Sequence, residues 1–281
     1  GRSGELFAIC PSCPLGYRAH MPHAQINGQS IYFQDTGGDG PPVILAHGFL
    51  MDNEMFAPQV AALRETHRVI TWDERGFGQT EFDGQPFSYW DSAADCLALL
   101  DHLGIHRAVV GGMSQGGFLS LRLALTAPDR VRGLILLDTQ AGVDDAETKA
   151  ANDGMNHVWL TDGPESGLAD IVASIIIDDP DHSPAWIAKW ISRPKEAFAQ
   201  PYQCLSTRDD ITDRLGEITC PAVVVHGIED TAITMDRAEI LADGLVGCSG
   251  VVKVRGAHAA NLTNPEPVNL AIVEFLAGLA A

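Results

Sequence analysis

Short runs of mainly Val, Ile and Leu recur along the chain, and helical patterns lie between them. The runs are residues 42–46, 68–72, 107–110, 131–137, 222–225 and 251–254, and the helical patterns lie at about 53–64, 91–104, 115–127, 234–245 and 265–279. Nearly continuous apolar runs are typical of strands that are buried on both faces, as in parallel sheets. The alternation therefore predicts an α/β fold, with a mostly parallel, doubly wound sheet that is flanked by helices.

One long interval interrupts this alternation. Between Asp138 and Cys220 we find no buried strand, and about eighty residues are too many for a plain crossover. We predict a mostly helical cap at residues 141–210, over the sheet edge where α/β folds bind ligands, and a core formed by residues 21–140 and 211–281.

The cap is rich in aromatic residues, and these are candidates for the wall of a substrate pocket. The candidates are Trp159, Trp186 and Trp190. Trp186 and Trp190 are four residues apart and share one helix face, so the alternative is that this face packs the cap onto the core.

The segment Gly112-Met113-Ser114-Gln115-Gly116 follows an apolar strand and precedes a helical pattern. In that context the pattern G-x-S-x-G predicts a serine on a sharp strand-to-helix turn, where the two elements approach too closely for side chains at the glycines. The helix N-terminus places free N–H groups and the positive end of a dipole near the hydroxyl. Ser114 is therefore the predicted nucleophile.

The turn after the strand at 42–46 predicts the second half of an oxyanion hole. Its sequence is His47-Gly48-Phe49, and we expect the backbone N–H of Phe49 to act together with that of Gln115. Two such donors stabilise the charge that develops on a carbonyl oxygen. We expect His47 to brace this turn through hydrogen bonds and to take no part in the triad.

A seryl nucleophile needs a neutral imidazole within hydrogen-bond reach, and the imidazole needs a carboxylate that holds its tautomer. Of the 10 histidines, His258 follows the last strand and precedes the last helix, which predicts a loop at the ligand-binding edge of the sheet. Asp230 follows the preceding strand, and the chain order Ser114, Asp230, His258 is the order that α/β-hydrolases use. Asp138 is the alternative position for the acid.

Composition excludes several classes of partner. The net charge of −19 repels phosphate backbones and anionic membrane surfaces, so we expect neither a nucleic-acid nor a membrane partner. The six cysteines are scattered and form no disulfide framework, which makes the cytoplasm the expected location.

Residues 1–20 are expected to be an extension of doubtful origin without a function, because Met21-Pro22-His23 looks like a natural start. This extension contains Cys10-Pro11-Ser12-Cys13, but no second cysteine pair follows to complete a zinc site. We expect neither a metal nor an organic cofactor.

Together these residues resemble the α/β-hydrolase superfamily over nearly all of residues 22–281. The stretch Asp73-Glu74-Arg75-Gly76-Phe77-Gly78-Gln79-Thr80 is similar to the family's D-x-R-G-x-G-x-S loop, with threonine replacing the serine. The resemblance implies a capped α/β-hydrolase fold in which this loop supports the site structurally. It is greatest to compact-capped esterases, enol-lactonases and carbon–carbon bond hydrolases, whereas Ser114 argues against dehalogenases and epoxide hydrolases, whose nucleophile is an aspartate.

These features predict a serine hydrolase that cleaves a small-molecule carboxylic ester or lactone through an acyl-enzyme, in a mostly apolar pocket of moderate size. Cleavage of a carbon–carbon bond in a vinylogous diketone, or perhydrolysis with peroxide, would use the same triad. A ligand receptor built on a hydrolase scaffold is a further alternative. The sequence leaves open the acyl and alcohol parts of the substrate and the oligomeric state.

Overall fold

The structure is a computed structural model that describes residues 22–279. The extension at residues 1–20, with its Cys10 and Cys13 pair, lies outside the described residues.

A single twisted sheet organises the described chain. Its strands are β1 (His23–Ile26), β2 (Gln29–Asp35), β3 (Pro42–Ala46), β4 (Arg68–Trp72), β5 (Ala108–Met113), β6 (Val131–Leu137), β7 (Ala222–Gly227) and β8 (Cys248–Val254). The strand order is β1-β2-β4-β3-β5-β6-β7-β8. Strands β3 to β8 pair in parallel, whereas β1 and β2 pair antiparallel through a turn at Asn27 and Gly28, both of which have positive φ. The predicted mostly parallel sheet is confirmed.

Helices cover both faces of this sheet. They are α1 (Ala57–Leu63), α2 (Tyr89–His102), α3 (Gln115–Thr126), α4 (Ala146–Asp162), α5 (Leu168–Ile176), α6 (Ser183–Ser192), α7 (Ala199–Ser206), α8 (Met235–Gly244), α9 (Ala260–Thr263) and α10 (Pro265–Gly278). Alternate residues of one strand enter different cores: in β3, Val43 and Leu45 join the core with α1 and α10, and Ile44 and Ala46 join the core with α2, α3 and α8. Burial on both faces explains why the strands are apolar throughout.

Helices α4 to α7 fill the interval between β6 and β7. Several contacts join this segment to the chain after β3. Among them, the indole N–H of Trp190 donates to the carbonyl of Leu50 at 2.6 Å, and Lys189 pairs with Asp52 at 2.7 Å. On these contacts we propose the division into a cap at 141–210 and a core at 21–140 and 211–281. No helix within residues 22–279 is both long enough and apolar enough to span a bilayer.

Candidate active site

Ser114 stands at the turn between β5 and α3 in a strained backbone conformation. Its φ is 51° and its ψ is −113°, which a residue with a side chain seldom adopts. The turn is held from β6 and the residues after it: the N–H of Ser114 donates to the carbonyl of Leu137 at 2.9 Å, and the hydroxyl of Thr139 donates to the carbonyl of Ser114 at 2.7 Å. The predicted strand-to-helix turn is therefore present.

The glycines of the motif are required by the packing around this turn. A Cβ atom at Gly116 would lie 1.9 Å from the carbonyl oxygen of Ala46, and one at Gly112 would lie 2.2 Å from the same atom. These distances are far inside van der Waals contact, so the helix can approach β3 this closely only without side chains at both positions.

His258 and Asp230 form a buried hydrogen-bonded pair. The Nδ1 atom of His258 lies 2.7 Å from Oδ2 of Asp230, and Oδ1 of Asp230 accepts the backbone N–H groups of Ala232 at 2.8 Å and Ile233 at 3.0 Å. Burial alone would raise the pKa of Asp230, but the imidazole of His258 and these hydrogen bonds lower it below its ordinary value. An ionised Asp230 holds the proton of His258 on Nδ1 and leaves Nε2 as a base.

Ser114 and His258 line the same cavity, which has a volume of about 150 Å³. Within residues 22–279, no hydrogen bond joins the hydroxyl of Ser114 to the imidazole of His258. Hydrogen bonds of this kind are often long without substrate and shorten in the substrate complex. Ser114 and His258 therefore share one cavity, and Asp230 is joined to His258 by a hydrogen bond.

Asp138, the alternative acid, occupies a different position in this cluster. Its side chain is buried, and Oδ1 accepts the backbone N–H of Gly227 at 2.7 Å. Burial and the neighbouring charge of Asp230 raise the pKa of Asp138 well above its ordinary value. The carboxyl hydrogen-bonded to His258 is that of Asp230.

His226 lies between the two carboxyl groups, in β7. Its Nε2 atom donates to the carbonyl of Ile233 at 2.8 Å, and burial lowers its pKa, so the ring is neutral. Atoms of Asp138, His226 and Asp230 lie within 4.8 Å of one another, a grouping that could hold a metal ion in another context. Hydrogen bonds engage Nε2 of His226 and both carboxyl groups, whereas Nδ1 of His226 has no hydrogen-bond partner among the described residues and lies 4.0 Å from Oδ1 of Asp138.

The backbone N–H groups of Phe49 and Gln115 are available as donors. Neither donates a hydrogen bond to any described residue. His47 braces the turn before Phe49: its Nδ1 donates to the carbonyl of Gly48 at 2.8 Å, and its Nε2 accepts the N–H of Glu74 at 3.0 Å. The bracing role expected for His47 is what the structure shows.

A buried carboxyl next to the Gln115 side chain was not foreseen from the sequence. The amide of Gln115 donates to Oε1 of Glu74 at 3.0 Å and accepts from the hydroxyl of Tyr89 at 3.2 Å. Burial raises the pKa of Glu74 to about 8, against the smaller lowering effect of the Gln115 hydrogen bond. Because Glu74 also contacts His47 through its backbone, it links the two segments that carry the oxyanion donors.

The loop that contains Glu74 supports the site as the resemblance implied. The carboxylate of Asp73 accepts the backbone and side-chain N–H groups of Asn53 and the N–H of Gln79, all at 2.7–2.8 Å. The hydroxyl of Thr80 donates to the carbonyl of Asp73 at 2.6 Å and accepts the N–H of Tyr32, so threonine serves in place of serine.

Of the three tryptophans expected to line the substrate pocket, one does so. Trp159 lines the cavity that contains Ser114 and His258. Trp186 and Trp190 line a separate cleft next to Asp52, so the expectation that they line the substrate pocket is corrected. Both are almost completely buried. The indole N–H of Trp190 donates to the carbonyl of Leu50, and its ring contacts that of Trp159 at an angle of 59°, which matches the alternative that this helix face packs the cap onto the core.

Comparisons with known proteins agree with this geometry. A family model described as the alpha/beta hydrolase fold matches residues 41–180. A protein provisionally named carbamate hydrolase RutD, from Azorhizobium caulinodans, is 28% identical over 267 residues that cover 91% of this chain and 98% of that protein. The enol-lactonase from Burkholderia xenovorans is 28% identical, with a TM-score of 0.83 and coverage of 91% of this chain and 100% of that one. A thermophilic esterase from Thermogutta terrifontis is 29% identical, with a TM-score of 0.83 and coverage of 95% and 100%. By its matching family model, strand order and structural likenesses, the chain belongs to the α/β-hydrolase superfamily.

Proposed function

We propose that this protein is a serine hydrolase that cleaves carboxylic esters or lactones through an acyl-enzyme. The observation that carries the proposal is the convergence of Ser114, on its strained turn, with the His258–Asp230 pair at one cavity. The esterase and enol-lactonase likenesses support hydrolysis of this kind.

The proposed reaction has two acyl-transfer steps. Ser114 Oγ attacks the substrate carbonyl carbon as Nε2 of His258 takes the hydroxyl proton, while the ionised Asp230 stabilises the resulting imidazolium. His258 then gives the proton to the leaving alcohol, and water attacks the acyl-enzyme with His258 again as base. No cofactor or metal enters these steps.

Negative charge on the carbonyl oxygen would be held by the N–H groups of Phe49 and Gln115. A preformed donor of this kind is worth about 10²–10³ in rate. Gln115 is the first residue of α3, so the helix dipole favours the same charge.

The test is hydrolysis of p-nitrophenyl esters by Ser114→Ala. We expect a loss of about 10⁴-fold or more in kcat, because the oxyanion hole and binding alone give only a small residual rate. Ser174→Ala is a matched control, since Ser174 is an exposed serine on α5 outside the cavity lining. A Ser114→Ala protein that kept most of its activity would defeat the proposal.

A substrate panel separates the reactions that share this site. Short esters, lactones, a carbamate and a vinylogous diketone should be compared by kcat/KM, with peroxide added in a parallel series. We expect the esters or lactones to have the highest values. A higher value for the diketone would replace the proposal with carbon–carbon bond hydrolysis.

We further propose a cytoplasmic location and a small-molecule partner. The described cysteines, Cys96, Cys204, Cys220 and Cys248, are all free thiols, which suits a reducing compartment.

A further inference from the structure

The lining of the cavity that contains Ser114 and His258 is mostly apolar but includes one ion pair. Apolar lining residues come from the loop after β3 and from the cap, and include Phe49, Met155, Trp159 and Ile176. The Asp, Glu, Lys and Arg residues of this lining are Asp144 and Arg208.

Arg208 is buried, ion-paired and hydrogen-bonded through each of its three nitrogen atoms. Its three nitrogen atoms donate to Oδ1 of Asp144 at 2.6 Å, to the carbonyl of Leu205 at 2.9 Å and to the carbonyl of Gly142 at 3.3 Å. The guanidinium also stacks over the ring of Phe118 at 4.8 Å, and its side chain is only 4% exposed. A buried arginine that is already paired with a carboxylate attracts an anion less than an unpaired one would.

Asp144 has two further hydrogen-bond donors besides Arg208. Oδ1 also lies 3.3 Å from the amide nitrogen of Gln140, and Oδ2 lies 3.3 Å from that of Asn152. Both residues line the cavity, but the Asp144 side chain is 17% exposed against 4% for Arg208, so the negative partner is the more accessible group of the pair.

We propose that this pocket takes acyl groups that are uncharged and mainly apolar, and that Asp144 excludes acyl groups ending in a carboxylate. The proposal rests on the serine hydrolase function above and names its substrate class. A substrate carboxylate would lose its hydration, approach Asp144 and find Arg208 already neutralised, whereas an alkyl chain would contact the apolar wall at no such cost.

The test compares two esters that differ in one charge. p-Nitrophenyl hexanoate and the p-nitrophenyl half-ester of adipic acid have the same carbon chain, and only the half-ester ends in a carboxylate. We expect wild-type kcat/KM to favour the hexanoate by about 100-fold. Equal turnover of both esters would overturn the inference, and failure to hydrolyse either would instead overturn the proposed hydrolase function.

Asp144→Asn tests the assigned residue. The amide keeps an oxygen for Arg208 but leaves the cation uncompensated, so the preference should move toward the half-ester by about 10-fold or more. Asp101→Asn is the matched control, because Asp101 also pairs with an arginine, Arg130 at 2.6 Å, and neither residue lines the cavity, so the preference should not move. An unchanged preference in a folded Asp144→Asn protein would overturn the assignment.

The double variant Asp144→Leu with Arg208→Met, which removes both charges, is a second test if Asp144→Asn fails to fold. This double variant should reject the half-ester less strongly than the wild type, because the repulsion by Asp144 is gone while the cost of desolvating the carboxylate at an apolar wall remains. A preference for the hexanoate as large as that of the wild type would count against the inference. Repeating the wild-type comparison of the two esters in high salt distinguishes repulsion by Asp144 from repulsion by the net charge of −19. If the preference for the hexanoate disappears in high salt, the net charge of the protein causes it, and the role of Asp144 is refuted.

Discussion

Glu74→Gln should make the protein more resistant to unfolding as pH rises. In the folded chain the pKa of Glu74 is about 8, against an ordinary value of 4.5, because the carboxyl is completely buried. The unfolded chain therefore releases this proton near pH 4.5, whereas the folded chain keeps it until about pH 8. Since the unfolded state then binds fewer protons, the free energy of unfolding falls as pH rises through this window and not above it.

The size of the effect follows from the same two values. A difference of 3.5 pKa units corresponds to about 5 kcal/mol over the whole window, and to about 3 to 4 kcal/mol between pH 5 and pH 8. Glutamine is neutral throughout and keeps an oxygen for the amide of Gln115, so the variant should lack this loss. The free energy of unfolding of Glu74→Gln relative to that of the wild type should therefore rise by about 3 to 4 kcal/mol between pH 5 and pH 8.

Urea unfolding at both pH values measures this difference. Glu65→Gln is the matched control, because the Glu65 side chain is 85% exposed and its substitution should add no pH-dependent term. Asp138, whose pKa is also raised, titrates in both proteins and cancels in the comparison. A difference between the wild type and Glu74→Gln that stays constant from pH 5 to pH 8 would refute the reasoning.

Two further substitutions test other parts of the site. Asp230→Asn should lower kcat by about 10⁴-fold with little change in fold, since the amide no longer holds the proton of His258 on Nδ1. Ester kinetics measure kcat, and circular dichroism checks the fold. A near-normal kcat would contradict the prediction. Gly116→Ala should prevent stable folding, because its Cβ would lie 1.9 Å from the carbonyl oxygen of Ala46. Gly154→Ala, in an open position on α4, is the control and should leave the melting temperature equal or higher. Similar melting temperatures for the two variants would contradict this account of the turn.

The elements that the sequence predicted best are those whose burial produces a recognisable local sequence pattern. Strands β3 to β7 are apolar throughout because residues such as Val43 and Ile44 enter cores on opposite faces of the sheet. The turn at Ser114 was predicted for the same kind of reason, since the collision of a Cβ atom at Gly116 restricts the local sequence directly.

Contacts between distant segments were harder to predict. Glu74 and Gln115 are 41 residues apart, and nothing in either local pattern indicates that their side chains meet. Trp186 and Trp190 were correctly expected to share a helix face, but the direction of that face depends on how α6 lies against the loop at Leu50. Periodicity defines a buried face without identifying its partner.

Covalent labelling of Ser114 tests the central claim most directly. The protein should be incubated with a fluorophosphonate, which phosphonylates activated serines, and the labelled peptide should be located by mass spectrometry. We predict one adduct per chain on Ser114, none on Ser114→Ala and a much slower reaction in His258→Ala. Labelling of Ser114→Ala at the wild-type rate, or an adduct on another serine, would contradict the assignment of this residue as the nucleophile.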